Sequence, residues 1–146
     1  MSDEFSSGPE NTGLVELLDR SMPADSEAIA TVVDAITETL AQLTIPEQKR
    51  LEVALAVQEA LANAVVHGCD NDSSKQVRCQ MKSDPNGRIV IIVTDPGPGF
   101  SPDRVPDPKR GENLHADHGR GVYLIHQLMD EVHFERGASE IRMWKY

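Results

Sequence analysis

The chain has 146 residues with 24 Asp or Glu against 14 Lys or Arg, which gives a formal net charge of −10. This length suits one globular domain, and the acidic balance argues against nucleic acid or an anionic membrane as a direct partner. The longest apolar runs are too short to span a bilayer, and the N-terminus has no secretory-signal pattern. We therefore expect a cytoplasmic protein that contacts neither a membrane nor nucleic acid.

The charge is unevenly distributed along the chain. Residues 1–27 carry seven acids and one base, whereas residues 100–120 balance four acids with four bases. The polar first dozen residues predict a flexible acidic arm at 1–12, followed by one folded domain at 13–146. Cys69 and Cys79 lack the spacing of a metal or redox motif and are interpreted as reduced thiols.

Apolar spacing, caps and turn residues predict an α+β layered domain in which helices precede several hairpin-linked strands. The long segment 96–118 is rich in Pro, Gly and charge and is predicted to be a functional loop. In chain order the predicted elements begin with a strand at 14–18, a helix capped by Asp25 or Ser26 that runs to about Leu43, and a helix from Pro46 to His67. Strands at 76–82 and 88–94 follow, joined by a hairpin turn at Ser83-Asp84-Pro85-Asn86-Gly87. The last elements are a helix at about 119–129 and strands at 133–135 and 140–145.

The second predicted helix combines an apolar composition with a few misplaced polar residues. Its segment 51–66 holds 12 apolar residues in 16, which is typical of a buried helix, and Gly68 is predicted to end it in a left-handed conformation. Glu59, Asn63 and His67 recur every four residues and share one face. Either this face is a partly exposed seam with a Glu–Asn hydrogen bond, or it presents a proton-accepting carboxylate and a metal-binding amide.

Two glycine-rich segments adjoin predicted element ends. Asp95-Pro-Gly97-Pro-Gly99-Phe100 follows a buried strand, and its glycines either form a rigid turn or allow a flat ligand to approach the backbone. Gly119-Arg120-Gly121-Val122 opens the next predicted helix, where unpaired N–H groups suit a phosphate. Neither a P-loop nor the ordinary protein-kinase motifs are present.

Together these segments resemble the motifs of the GHKL ATPases. Glu59-Ala-Leu-Ala-Asn63-Ala-Val-Val-His67-Gly68 resembles their N box, and the segments at 95–100 and 119–124 resemble their two glycine boxes. Within that superfamily the chain is most similar to the bacterial anti-sigma-factor serine/threonine kinases, over about residues 14–145. The resemblance implies the GHKL (Bergerat) fold, a two-layer α/β sandwich with a mixed, mostly antiparallel sheet and helices on one face.

The resemblance also implies roles for individual residues. Glu59 would be the catalytic base, Asn63 would hold Mg²⁺, Asp95 would bind the adenine amino group, and residues 101–118 would form the lid over ATP. The full set that it assigns to ATP is Asn63, His67, Asp95, Gly97, Gly99, Phe100, Gly119, Arg120, Gly121 and Val122.

The implied function is partner switching. A homodimeric kinase would transfer the γ-phosphoryl group of ATP to a Ser or Thr of an anti-anti-sigma (STAS-type) protein and would sequester a sigma factor. The alternative is a nucleotide-binding module that sequesters a partner without kinase activity. The ATP-binding part of a histidine kinase is disfavoured because no phosphoacceptor hairpin fits in residues 1–45. A gyrase-like ATPase is disfavoured because no transducer domain follows residue 146.

The chain departs from the family pattern in two places. Arg136-Gly137-Ala138-Ser139 replaces the family's usual Gly-Thr pair, which we expect to affect only the turn. Pro102, Pro106 and Pro108 are expected to stiffen the lid.

Overall fold

A computed structural model describes residues 13–97, 117–135 and 139–146, with the backbone alone described at 117–120. The predicted arm at 1–12, the three lid prolines and most of the predicted loop lie outside these ranges. The elements are β1 (Val15–Pro23), α1 (Ser26–Ala41), α2 (Glu47–Asn63), a π-helical turn (Ala64–Gly68), β2 (Gln76–Ser83), β3 (Ile89–Thr94), α3 (Asp117–Leu128), β4 (Glu131–Glu135) and β5 (Glu140–Lys145).

The five strands form one sheet in the order β1-β2-β3-β5-β4. All four pairings are antiparallel. The predicted α+β class is therefore confirmed, and the mixed sheet that the resemblance implied is antiparallel throughout its described strands.

The main core lies between the helices and one face of the sheet. Alternate residues of β2, including Val77, Cys79 and Met81, face this core together with Val32 and Leu61 of the helices. The opposite face carries a small apolar cluster of Val90, Ile92 and Trp144, against which Leu14 packs. The arrangement confirms a two-layer sandwich with helices on one side.

The strand β1 is longer than predicted, because it runs from Val15 to Pro23 rather than over 14–18. Its polar second half hid the strand from apolar patterning, although an edge strand tolerates polar residues and a terminal proline. Asp19 accepts two hydrogen bonds from Arg78 of β2, at 2.9 and 2.6 Å.

The predicted hairpin between β2 and β3 is confirmed, and Asp84 organises its turn. Oδ1 of Asp84 accepts hydrogen bonds from the backbone N–H groups of Asn86 and Arg88, both at 2.9 Å. Oδ2 accepts a third from Nε of Arg88 at 2.5 Å. The Arg88 guanidinium also lies over the rings of Trp144 and Tyr146, so the turn is fixed to the outer face of the sheet.

Two further predictions concern the helices. Asp25 caps α1 as predicted, because its Oδ1 accepts a hydrogen bond from the backbone of Glu27 at 2.8 Å. The interpretation of α2 as buried all round is wrong, because Leu51 and Leu55 are 60% and 42% exposed on its outer side. No helix in the described part of the chain has both the length and the apolar character that crossing a membrane requires.

Candidate functional site

Glu59 and Asn63, one turn apart on α2, both lie against the backbone of α3. A β-carbon built on Gly121 would lie 3.1 Å from Nδ2 of Asn63 and 3.2 Å from Oε1 of Glu59. The predicted side chains therefore converge on the second turn of α3, and a glycine at 121 lets the helix come this close.

The end of α2 differs from the prediction of one regular helix to His67. After Asn63 the chain continues as a π-helical turn from Ala64 to Gly68. Such a turn closes i→i+5 hydrogen bonds and shifts the angular position of the residues that follow. His67 is exposed and is not among the residues that line the pocket described below.

Gly68, at the end of the π-helical turn, lies directly beside the carboxylate of Asp95. A β-carbon on Gly68 would lie 2.4 Å from Oδ2 of Asp95, and one on Gly97 would lie 1.7 Å from the Gly68 carbonyl oxygen. Gly68 does not have the positive φ predicted for it. Its requirement for glycine comes from this close approach, whereas positive φ values occur just beyond it, at Asp70 and Asn71.

Asp95 is 8% exposed and is held by two backbone contacts. The N–H of Gly97 donates a hydrogen bond to its Oδ1 at 2.9 Å. Its own N–H donates to the carbonyl oxygen of Ser139, also at 2.9 Å. The end of β3 thus presents a fixed carboxylate, which when ionised accepts hydrogen bonds from donors such as an aromatic amine.

A small pocket opens beside this carboxylate, between the helices and the sheet. Its walls are mostly apolar, and few polar groups enter it, which is typical of sites for flat organic ligands. The lining residues are Ala60, Asn63, Ala64, Val93, Asp95, Val122, Phe134, Ser139 and Ile141.

Burial also affects the cysteine that follows Gly68. Cys69 is fully buried, and this burial, with the charge of Asp95, raises the pKa of its thiol. Cys69 and Cys79 are both free, as expected from the sequence. In the ranges that the structure describes, no group of three or more His, Cys, Asp or Glu forms a metal site by itself.

The structure brings most of the predicted set together. Asn63, Asp95 and Val122 line one pocket, Gly97 adjoins Asp95, and Glu59 and Gly121 lie beside Asn63. The helix α3 begins at Asp117, two residues before its predicted start, so Gly119 lies in its first turn. Gly121 was predicted to help open the helix with an unpaired N–H, but it lies in the second turn, where backbone N–H groups are bonded within the helix. The predictions for Gly99, Phe100 and the Arg120 side chain fall outside the described part of the chain.

Sequence reasoning missed six residues that line the pocket, which are Ala60, Ala64, Val93, Phe134, Ser139 and Ile141. Ser139, whose segment was expected to matter only to the turn, lines the pocket and binds the backbone of Asp95. Phe134 and Ile141 also line it, from β4 and β5. The alternation of side chains along β4 and β5 could have identified Phe134 and Ile141, because it directs both toward the helices.

Comparison with known proteins identifies the family of the chain. A family model described as a histidine kinase-like ATPase domain matches residues 22–145. The serine-protein kinase RsbW of Bacillus velezensis is 24% identical over 139 residues, which are 90% of this chain and 86% of that protein. An anti-sigma F factor of Clostridium botulinum is 28% identical over 146 residues, or 93% of this chain and 94% of that one.

A solved structure shows the same fold. The RsbU and RsbW domains of a Mycobacterium tuberculosis protein superpose with a TM-score of 0.61 at 20% identity. That match covers 88% of this chain but only 31% of the other. The resemblance to anti-sigma-factor kinases of the GHKL superfamily is confirmed, and the chain belongs to the histidine kinase-like ATPase domain family.

Proposed function

We propose that this protein is an ATP-dependent protein serine/threonine kinase. It phosphorylates a STAS-type anti-anti-sigma protein and sequesters a sigma factor. The observation that carries the proposal is the convergence of Glu59, Asn63 and Gly121 beside a pocket that contains the Asp95 carboxylate. In that arrangement Asp95 accepts a hydrogen bond from adenine, and Glu59 is a separate carboxylate that accepts a proton.

The pocket suits the adenine end of the nucleotide. The carboxylate of Asp95 accepts a hydrogen bond from the adenine amino group, and Val93, Val122 and Ile141 offer apolar contact to the ring. Because Gly97 and Ser139 fix Asp95 through backbone contacts, the acceptor is already oriented before the ligand enters.

The start of α3 and Asn63 suit the phosphate end. The first N–H groups of a helix have no partner within the helix and bind phosphate oxygens. The amide oxygen of Asn63 is a hard ligand of the kind that Mg²⁺ takes, and Mg²⁺ in such sites uses only one or two protein ligands besides phosphates and water. Asn63 would therefore hold Mg²⁺, whose charge neutralises the phosphates.

Glu59 acts as the base in this proposal. It accepts the proton of the serine or threonine hydroxyl while the hydroxyl oxygen bonds to the γ-phosphorus and the bond to the β–γ bridging oxygen breaks, releasing ADP. Such a transfer depends mainly on positioning and charge neutralisation, which a helix terminus, an amide and a carboxylate supply.

The partners follow from the relatives. Relatives named serine-protein kinase RsbW and anti-sigma F factor cover most of this chain, and their names indicate a protein substrate and a sigma factor. We propose that this protein acts in the cytoplasm, where ATP and sigma factors are found. We also propose that it forms a homodimer.

Transfer from [γ-³²P]ATP to each purified STAS protein of the source organism tests the proposal. We expect one labelled acceptor, and a rate lower by about 10²–10⁴-fold in Glu59→Gln, with ATP still bound. Glu52→Gln is the matched control on the same helix, since Glu52 pairs with Lys145 at 2.8 Å, away from the site. Bound nucleotide with a captured partner but no labelled acceptor would instead identify a sequestering module.

A further inference from the structure

A groove of about 460 Å³ lies between α1 and α2. Exposed residues of both helices border it, and partly buried Ile29, Val33 and Ala62 provide apolar surface inside it. The residues that line it are Ser26, Ile29, Ala30, Val33, Asp34, Gln58, Glu59 and Ala62.

The apolar surface continues along α2 beyond the groove. Leu51, Leu55 and Val66 are 60%, 42% and 42% exposed. Leu51 and Leu55 precede Gln58 and Ala62 at helical spacing and therefore lie on the same side of the helix. A row of large exposed apolar side chains next to a groove marks a protein-binding surface.

Glu59 connects the groove to the nucleotide site. Glu59 lines the groove, and its Oε1 also lies 3.2 Å from the β-carbon position of Gly121, in the second turn of α3. The phosphates bind on the Gly121 side, and phosphoryl transfer needs the attacking oxygen roughly in line with the leaving group, on the opposite side of the phosphorus. The acceptor hydroxyl must also reach hydrogen-bonding distance of Glu59.

We propose that this groove binds the segment of the substrate protein that carries the phosphorylated serine or threonine. The inference rests on the proposed kinase function and specifies where its protein substrate docks. The apolar lining accommodates an apolar side chain next to the acceptor residue, and Glu59 at the inner side of the groove meets the hydroxyl.

Charge specifies the occupant further. The charged residues that line the groove are Asp34 and Glu59, and α1 has three acids and no Lys or Arg between Ser26 and Ala41. An acidic acceptor segment would be repelled here. The bound segment therefore carries Lys or Arg, rather than Asp or Glu, at the position that faces Asp34.

Two pairs of substitutions test the docking site. Asp34→Lys and Glu38→Lys make the same charge change one turn apart on α1, but only Asp34 lines the groove. Ala30→Trp fills the groove, whereas Thr31→Trp adds the same bulk to an exposed neighbour outside it. The probe is the STAS protein labelled by wild-type enzyme, used at varied concentration with saturating ATP.

We expect Asp34→Lys and Ala30→Trp to raise the KM for the STAS protein roughly tenfold, with ATP affinity unchanged and both controls within about twofold of wild type. The KM of wild type should also rise with salt. Unchanged KM values would overturn the docking site while leaving the kinase function intact. If Asp34→Lys or Ala30→Trp lost sigma-factor binding or self-association while KM stayed unchanged, the groove would belong to another occupant. If no STAS protein were labelled at all, both the proposed function and this inference would be wrong.

Discussion

Gly68 and Asp95 approach so closely that a β-carbon on residue 68 would lie 2.4 Å from Oδ2 of the carboxylate. The carboxylate has little freedom to retreat, since Gly97 binds its Oδ1 and its backbone is tied to Ser139. Even the smallest side chain at 68 must displace one of these groups.

We expect Gly68→Ala to weaken ATP binding by about tenfold to a hundredfold. The methyl group pushes the Asp95 carboxylate from the position where it accepts the adenine amino group, and a hydrogen bond to a charged acceptor contributes about 1.5–3 kcal/mol. Isothermal titration calorimetry with ATP and ADP measures this change, and both nucleotides should lose affinity equally because both carry adenine.

Gly87→Ala is the control for the general cost of replacing glycine. Gly87 has a φ of +87° and no atom within 4 Å of its β-carbon position, so alanine there is strained but touches nothing. The strain costs about 1–2 kcal/mol of stability and should leave nucleotide affinity unchanged. Equal ATP affinity in Gly68→Ala and wild type would contradict the role assigned to the Gly68–Asp95 contact.

Gly121→Ala should affect the other end of the site. Its β-carbon would lie 3.1–3.2 Å from Asn63 and Glu59, which is tighter than ordinary contact, so both side chains must shift by a few tenths of an ångström. Because transfer depends on their positions, we expect kcat to fall roughly tenfold while ADP affinity changes far less. Single-turnover measurement of transfer to the STAS protein, beside ADP titration, separates the two effects; an unchanged kcat would show that these side chains tolerate displacement.

Local sequence signals were sufficient for most of the fold. Asp25 as a cap and Asp84 in the turn each act through bonds to residues within four positions, and both predictions are confirmed. The second half of β1 was missed because its polar residues depend on pairing with distant β2 for their strand conformation.

The site was predictable where a regular helix sets the spacing. Glu59 and Asn63 are separated by one α-helical turn and were predicted to share one face, and in the structure both approach Gly121. The prediction for His67 extended the same period through residues that form a π-helical turn, which apolar patterning does not reveal. Gly68 was predicted to end the helix in a left-handed conformation. Its actual requirement for glycine comes from Asp95, which is 27 positions away in the chain, so a local pattern could not reveal it.

The pH dependence of stability should reveal the Asp84 turn. Burial alone would raise the pKa of Asp84, but hydrogen bonds from Arg88 and Asn86 outweigh it and hold this pKa below the ordinary value of 3.8. The ionised turn therefore stabilises the fold above pH 3.8, and that stabilisation is lost as the pH falls below 3.8 through the folded-state pKa.

Thermal unfolding of Asp84→Asn measures this effect. The amide still accepts from the backbone but loses the charge that faces Arg88, so we expect a loss of about 1–2 kcal/mol at neutral pH that shrinks in acid. Glu38→Gln, at an exposed position of α1, controls for the removal of one negative charge. A difference between Asp84→Asn and wild type that stays constant down to pH 3 would refute the assignment.

The two thiols should report on the opening of the site. Burial and the charge of Asp95 raise the pKa of Cys69, and burial with the charge of Asp19 raises the pKa of Cys79 to about 12. Both are at most 1% exposed, so native protein at pH 8 should react with an aromatic disulfide reagent at least about a hundredfold more slowly than unfolded protein.

Nucleotide should then distinguish the two cysteines. Cys69 follows the glycine that contacts Asp95, whereas Cys79 lies in β2 and pairs with Arg20 and Val93 of the neighbouring strands. A ligand that stabilises only the closed site lowers the population of local openings around it. Saturating ATP should therefore slow the labelling of Cys69 in the Cys79→Ser variant more than the labelling of Cys79 in the Cys69→Ser variant. Equal protection of the two thiols would mean that the same global unfolding exposes both. Rapid labelling of Cys69 without nucleotide would contradict its burial.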